Sequence, residues 1–370
     1  MTTARRRLRR AAANGLRLIA PFAAGCDGRR PSHPKVGRGH TTPLAPAGNI
    51  LLGRRMARHP IRFGIQTAQQ GIEWPQLLDL WQKADAWGYD SLWGFDHFYP
   101  VFVDPEGPCF EGWTILGALA QATRRARIGL LVSGNSYRHP CVTAKMAATL
   151  DHVSGGRLNL GIGAGWFEVE HRAFGIEFKS TAARLAALDE ACRIILGMFT
   201  DSRTTVHGKH YTVTDAIGLP KPVQKPHPPI MIGGKGRQVL LRIVARYADM
   251  WNIGASAAEM RDLIGVIRRH GDAVGRDADA IEKTVLLPLC YRAAPPREQF
   301  ICQLMASMRE TTPELVRREI MIGDKQECLD TVARYVEAGV THFIFMVFAP
   351  YFLEEIQGFA EEVVPAARGR

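Results

Sequence analysis

The stretch "SLWGFDHF" (91–98) sets a carboxylate, Asp96, beside an imidazole, His97, at the end of an apolar run. Histidine exchanges its proton near neutrality, so His97 reads as the proton donor or hydrogen-bonding group of a reaction at a strand's end. Successive strand side chains point to opposite faces, so only one of the pair is expected to enter a cavity. Both are candidate catalytic residues, with His97 given the inward place and Asp96 the task of anchoring the loop or tuning the pocket. A histidine satisfied by a core carbonyl is the bland alternative.

Two glycine-rich stretches invite a ligand. "GIGAGW" (161–166) starts like a dinucleotide fingerprint and fails at the last glycine, where Trp166 stands. Its Gly163, Ala164 and Gly165 either let backbone approach a planar ligand or simply make a tight turn. "IGGKGR" (232–237) is the stronger signal, because Gly233, Gly234 and Gly236 end a strand and run into a helix. Free backbone N–H groups then converge on one point, a nest for phosphate to which Lys235 and Arg237 add charge. The spacing is too short for a Walker loop. His207 and His210 in "VHGKHY" are spaced as metal ligands, but the polar surroundings favour a solvated hairpin, and no metal site is expected. Trp93, Trp113, Trp166 and Trp251 fall at or near strand ends. Trp166, Trp251 and Phe98 are the candidate walls of a substrate pocket, with ordinary packing as the rival account.

These residues need a scaffold, and the sequence supplies a repeating one. "IRFGIQT" (61–67) is followed by a helix that Pro75 opens and Gly88 closes, with Leu77, Leu78, Trp81, Ala84 and Trp87 on one face. Further strands are expected at 91–97, 126–134, 157–166, 228–234, 248–254, 284–290 and 341–348, with helices between them. Such alternation predicts a parallel sheet with helical crossovers, and eight units suit a (β/α)8 TIM barrel better than an open doubly wound sheet. In a barrel, chemistry sits at the carboxyl ends of the strands, where Asp96 and His97 fall.

Charge sharpens this reading. The net charge is +11, but twelve of the 47 basic side chains and one of the 36 acidic ones lie in residues 1–55, so the remainder is balanced at 35 each. No nucleic-acid partner follows from that, and no membrane span is present. Residues 1–57 read as a disordered Arg-rich extension, with Met56 as the natural start and 58–370 as the barrel domain. An export signal is a weaker reading of "TARRRLRR", because Arg17 and Asn14-Gly15 interrupt the apolar stretch it needs. Seven scattered cysteines without a C-x-x-C suggest inert thiols in the reducing cytoplasm.

The strings "SLWGFDHF", "LDHVSGGRLNLGIGAGW", "HGKHY", "PKPVQKPHPPIMIGGKG" and "ADMWN" resemble the bacterial luciferase-like superfamily, most closely its actinobacterial branch of F420-dependent oxidoreductases. The resemblance spans about residues 60–350 and implies a (β/α)8 barrel with a flavin-like ring at the carboxyl ends of its strands. It implies a non-proline cis peptide between Leu131 and Val132, with Ser133 next to it, backing the ring. It places the phosphate of the cofactor on Gly233–Arg237 and the histidine of the family's D-H motif at His97. The superfamily's sugar-phosphate dehydrogenases carry a glutamate after the fourth-strand glycines and a tryptophan after the D-H pair, where this chain has Trp166 and Val101. That departure disfavours a sugar phosphate and takes away an acid/base partner of His97. The implied function is hydride transfer between coenzyme F420 and a small organic substrate. The alternatives are an FMN-dependent monooxygenase and a non-catalytic F420- or flavin-binding protein, with a homodimer left open.

Overall fold

A Pro near the start and a Gly just past the end frame the first helix of a computed structural model that describes residues 58–101 and 106–369. The expected Arg-rich extension lies outside the described residues. β1 (Arg62–Thr67) leads into α1 (Trp74–Trp87), where Glu73 and Gln76 form a capping box and Gly88, at φ 93°, ends the helix in the left-handed region. Leu77, Leu80, Trp81 and Ala84 recur on one face of α1 and are fully buried in the core cluster they share with β1.

The unit recurs as β2 (Ser91–Gly94) and α2 (Gly112–Ala122), then β3 (Arg127–Leu130) with its short continuation β4 (Ser133–Gly134) and α3 (Pro140–Val153). β5 (Leu158–Gly163) is followed by a short α4 (Glu168–Ala173) and a long α5 (Thr181–Thr200). A hairpin of β6 (Thr204–His207) and β7 (Thr212–Ala216) precedes β8 (Ile230–Gly233), α6 (Leu240–Tyr247), β9 (Met250–Ile253) and α7 (Ala257–Val274). β10 (Glu282–Tyr291), α8 (Pro295–Arg309), α9 (Pro313–Arg317), β11 (Met321–Gly323) and α10 (Lys325–Glu337) come next. β12 (His342–Val347), α11 (Leu353–Gly358) and α12 (Val364–Arg368) complete the series.

Parallel pairing runs β1-β2-β3-β5-β8-β9-β10-β12 and returns from β12 to β1, closing eight strands into the expected (β/α)8 barrel. β12 is buried on both faces, as a covered parallel strand must be. Its Ile344 packs with Trp93, Met231 and Met250, while Phe343 and Phe345 join the layer beneath the helices. Trp93 is fully buried, its indole N–H donating to Ser91 Oγ at 2.8 Å, and a Cβ at Gly129 would meet its ring at 2.6 Å. The interior of the barrel is filled by side chains at this level.

The "HGKHY" stretch is the hairpin turn. Buried Glu190 on α5 accepts the backbone amides of Lys209 (2.8 Å), His210 (2.9 Å) and Tyr211 (3.0 Å), which fixes its shape. Among the described residues the cysteines are free thiols, and no helix is long and apolar enough to cross a membrane.

Candidate active site

β2 ends at Gly94, and Phe95, Asp96 and His97 continue from it toward the loops at the carboxyl end of the barrel. His97 Nδ1 lies 2.7 Å from Glu170 Oε1 on α4, and the Phe98 amide donates to Glu170 Oε2 at 2.8 Å. The Tyr137 hydroxyl also donates to Oε1. Glu170 is fully buried. Burial pushes its carboxyl up, but the bonds from His97, Tyr137 and the Phe98 amide outweigh that and hold it below the ordinary carboxylate range. An ionised carboxylate only accepts, so the shared hydrogen sits on His97 Nδ1 and the neutral ring keeps its lone pair on Nε2. Nε2 makes no hydrogen bond to a described residue. Burial and the bond to Glu170 push the Tyr137 phenol up, which keeps it a donor.

The departure at Trp166 therefore does not leave His97 without a partner, contrary to the expectation from sequence. Glu170, four positions beyond Trp166 on the unanticipated short helix α4, supplies it. The imidazole is also caged by aromatic edges, with ring centroids 5.3 Å from Phe95, 5.4 Å from Trp166 and 5.5 Å from Phe167. His171, next to Glu170 and equally buried, ties α4 down through Ser136 Oγ (2.7 Å) and the Phe167 carbonyl (2.8 Å).

Asp96 faces elsewhere. It is 1% exposed, and its Oδ2 accepts from Arg138 at 2.7 Å and from the Gly134 amide at 3.1 Å, so it joins the loop after β2 to β4. Arg138 also donates to Glu111 at 2.7 Å, and Asp96 Oδ1 has no partner among the described residues. The carboxylate positions the strand end; its unpaired Oδ1 is buried, whereas the side chain of His97 is 16% exposed. Burial, only partly offset by Arg138, pushes the Asp96 carboxyl up to about 6. Between about pH 4, the ordinary aspartate value, and about 6, the folded chain holds a proton that the unfolded chain has lost, so stability falls as pH rises through this window. Asp96→Asn has no such proton to release. Its melting temperature is expected to stay flatter across that window than the wild type's, and parallel curves for the two proteins would disprove the assignment.

The glycines have a packing cause. The peptide between Leu131 and Val132 is cis, at the expected bond, and the Leu131 carbonyl accepts from Gln66 Nε2 at 3.1 Å. The Val132 side chain lies under three strand glycines: a Cβ would meet it at 3.1 Å from Gly161, 2.9 Å from Gly163 and 3.2 Å from Gly233. Gly163 and Gly233 make room for Val132, and Gly161 makes room chiefly for the Leu130 carbonyl, with which a Cβ there would collide. Gly165, at φ 79°, turns the chain over Ser136, and Ala164 beside it packs on the core.

After β8 the chain forms the expected strand-to-helix turn, with Gly234 at φ 123°. The amides of Lys235, Gly236, Arg237 and Gln238 donate to no described residue ahead of α6. The two cations turn away toward α7: Lys235 pairs with Glu259 at 3.1 Å and Arg237 with Asp262. An anion at this turn would meet backbone amides and not these two cations.

Trp251 is a correction. Expected as a pocket wall, it is fully buried among the core residues beneath the helices and donates to the Gly234 carbonyl at 2.8 Å. On β9 the neighbours Met250 and Asn252 turn inward, the latter donating to Thr284 at 2.6 Å, so alternation sends Trp251 outward. Trp113 is likewise buried, at 7% exposure. Trp166, 53% exposed, and half-buried Phe98 do border His97.

The family model for luciferase-like monooxygenases matches residues 57–299. The chain belongs to that family. It is accordingly an enzyme of the luciferase-like type. An F420-dependent glucose-6-phosphate dehydrogenase from Kineococcus radiotolerans is 28% identical over 84% of this chain and 98% of its own length. An FMNH2-dependent dimethylsulfone monooxygenase from Pseudomonas putida is 25% identical over 70% and 78%. Among solved structures, an F420-dependent secondary alcohol dehydrogenase in complex with an F420-acetone adduct superposes with a TM-score of 0.73 at 22% identity, covering 84% of this chain and 99% of that one.

Proposed function

We propose that this protein is an F420-dependent oxidoreductase that moves a hydride between the deazaflavin and an organic alcohol or carbonyl compound. The observation that carries the reading is His97, whose Nε2 is open at the strand end while buried Glu170 fixes the other nitrogen. The residues present fit a flat, phosphate-bearing group. Ser133 Oγ is buried without a partner among the described residues beside the Leu131–Val132 peptide, Val132 and Leu286 offer partly buried apolar surface, and the amides after Gly234 are free to meet an anion. When bound, the deazaflavin supplies a two-electron hydride acceptor or donor. His97 Nε2 takes the hydroxyl proton as the alcohol is oxidised and returns it in the reverse direction. Glu170 holds the imidazolium formed in between, and Tyr137 holds Glu170. The 28% identity to an F420-dependent dehydrogenase over nearly the whole of that relative favours F420 over FMN.

Titration of the full chain with F420 and with FMN, followed by absorbance, tests the cofactor. Tight binding of FMN alone sinks the F420 assignment. The phosphate nest has its own test. A Cβ on Gly236 would meet Leu240 Cβ at 3.3 Å, a contact the turn absorbs with a small shift, so Gly236→Val should fold. Its branched side chain crowds the free amides, and cofactor affinity is expected to fall about tenfold, or about 1.4 kcal/mol, with little change in melting temperature. Unchanged affinity would move the phosphate elsewhere.

A further inference from the structure

Large apolar side chains stand in the open on the segment after β5, and one of them, Trp166, has its ring 5.4 Å from that of His97. Trp166, Val169 and Phe174 are 53%, 51% and 55% exposed, all within the segment between β5 and α5. Phe174 meets Phe98 at 4.9 Å and Tyr99 at 5.5 Å between ring centroids, which joins this belt to the loop that carries His97. An exposed patch of this composition beside a proton-transfer group marks a surface that an apolar ligand covers.

The charges nearby disfavour an anionic ligand. Arg138 is shared between Asp96 and Glu111. Arg172 pairs with Glu168 at 2.7 Å and Lys179 with Glu177 at 3.5 Å. Arg184 donates to the carbonyls of Gly165 and Lys179 and lies 4.0 Å over the Phe178 ring. The group nearest His97 is the buried, ionised Glu170. A phosphate dianion placed here would meet a carboxylate and no unengaged cation among these side chains, and the backbone nest after Gly234 serves the cofactor.

We propose that the substrate is uncharged: an alcohol, or the matching carbonyl compound, whose aromatic or branched apolar body rests on Trp166, Phe98 and Phe174 with its oxygen at His97 Nε2. This rests on the oxidoreductase reading above, and it separates this chain from the glucose-6-phosphate dehydrogenases it is similar to.

The test uses the full chain with 1-phenylethanol, 2-propanol and glucose 6-phosphate as substrates of the F420-loaded protein, and acetophenone and glucose 6-phosphate as calorimetric ligands without cofactor. kcat/KM for 1-phenylethanol is expected to exceed that for glucose 6-phosphate by about 100-fold or more, because the phosphate finds no partner. Acetophenone should bind and glucose 6-phosphate should not. Trp166→Ala should raise KM for 1-phenylethanol about tenfold, with a clearly smaller effect on 2-propanol, which has no ring to stack. Equal or better use of glucose 6-phosphate overturns the proposal. So does an equal loss on both alcohols in Trp166→Ala, or a failure of acetophenone to bind. Failure of F420 to bind in the cofactor titration overturns the oxidoreductase reading instead, and the calorimetry then still reports on the substrate class.

Discussion

His97→Ala is expected to leave the barrel folded and the cofactor bound while slowing the chemical step by about 100- to 10,000-fold, the usual range for removing a positioned acid/base. Folding should survive because the ring sits at the strand end, 16% exposed in its side chain, outside the main core clusters. Cofactor affinity should survive because the free amides before α6 and the apolar surface of Val132 and Leu286 do not depend on the imidazole. The loss then falls on kcat and kcat/KM together, the mark of an interaction made in the transition state. Single-turnover measurement with saturating substrate, beside an equilibrium cofactor titration, separates the two effects. A variant that turns over normally would make His97 a packing residue, and one that loses cofactor would place the imidazole in the binding site.

How far the sequence discloses this site depends on which residues must cooperate. The barrel is legible because each unit carries its own punctuation, as with Pro75 and Gly88 around α1, and because the strands are apolar on both faces. That same double burial hides the phase of a strand. In "MWNI" all four residues are buried, so nothing in the pattern shows that Asn252 turns inward and Trp251 outward. The glycines of "GIGAGW" suggest a ligand, yet Gly161 and Gly163 lie against Val132, about 30 positions earlier, and Gly165 lies over Ser136, and no local spacing records those contacts. Lys235 and Arg237 are likewise paired with side chains 24 and 25 positions on. The largest omission is Glu170. α4 is six residues long, too short to show an amphipathic period, and its pairing with His97 spans 73 positions. Two hints were present: acidic residues opening "FEVEHRAFG" and Gly175 closing it.

Glu170 is also the residue whose conservative replacement tells most. In Glu170→Gln one oxygen becomes an amide donor, and three donors, from His97, Tyr137 and the Phe98 amide, still converge on the same place. Either the new amide meets the Phe98 N–H and leaves it unsatisfied, or it turns to His97 and forces the hydrogen from Nδ1 to Nε2. The first arrangement costs about 1–3 kcal/mol of stability for a buried unpaired donor. The second removes the proton acceptor as surely as deleting the ring, and a fall in rate of about 100-fold is expected. A pH readout distinguishes this from simple damage. Because the Glu170 carboxyl is held below its ordinary range, its contribution to stability is complete above about pH 4.3 and is lost as pH falls through the lower folded value. The wild type's advantage in melting temperature over Glu170→Gln should therefore shrink in acid. A variant with normal rate would confine Glu170 to holding the loop.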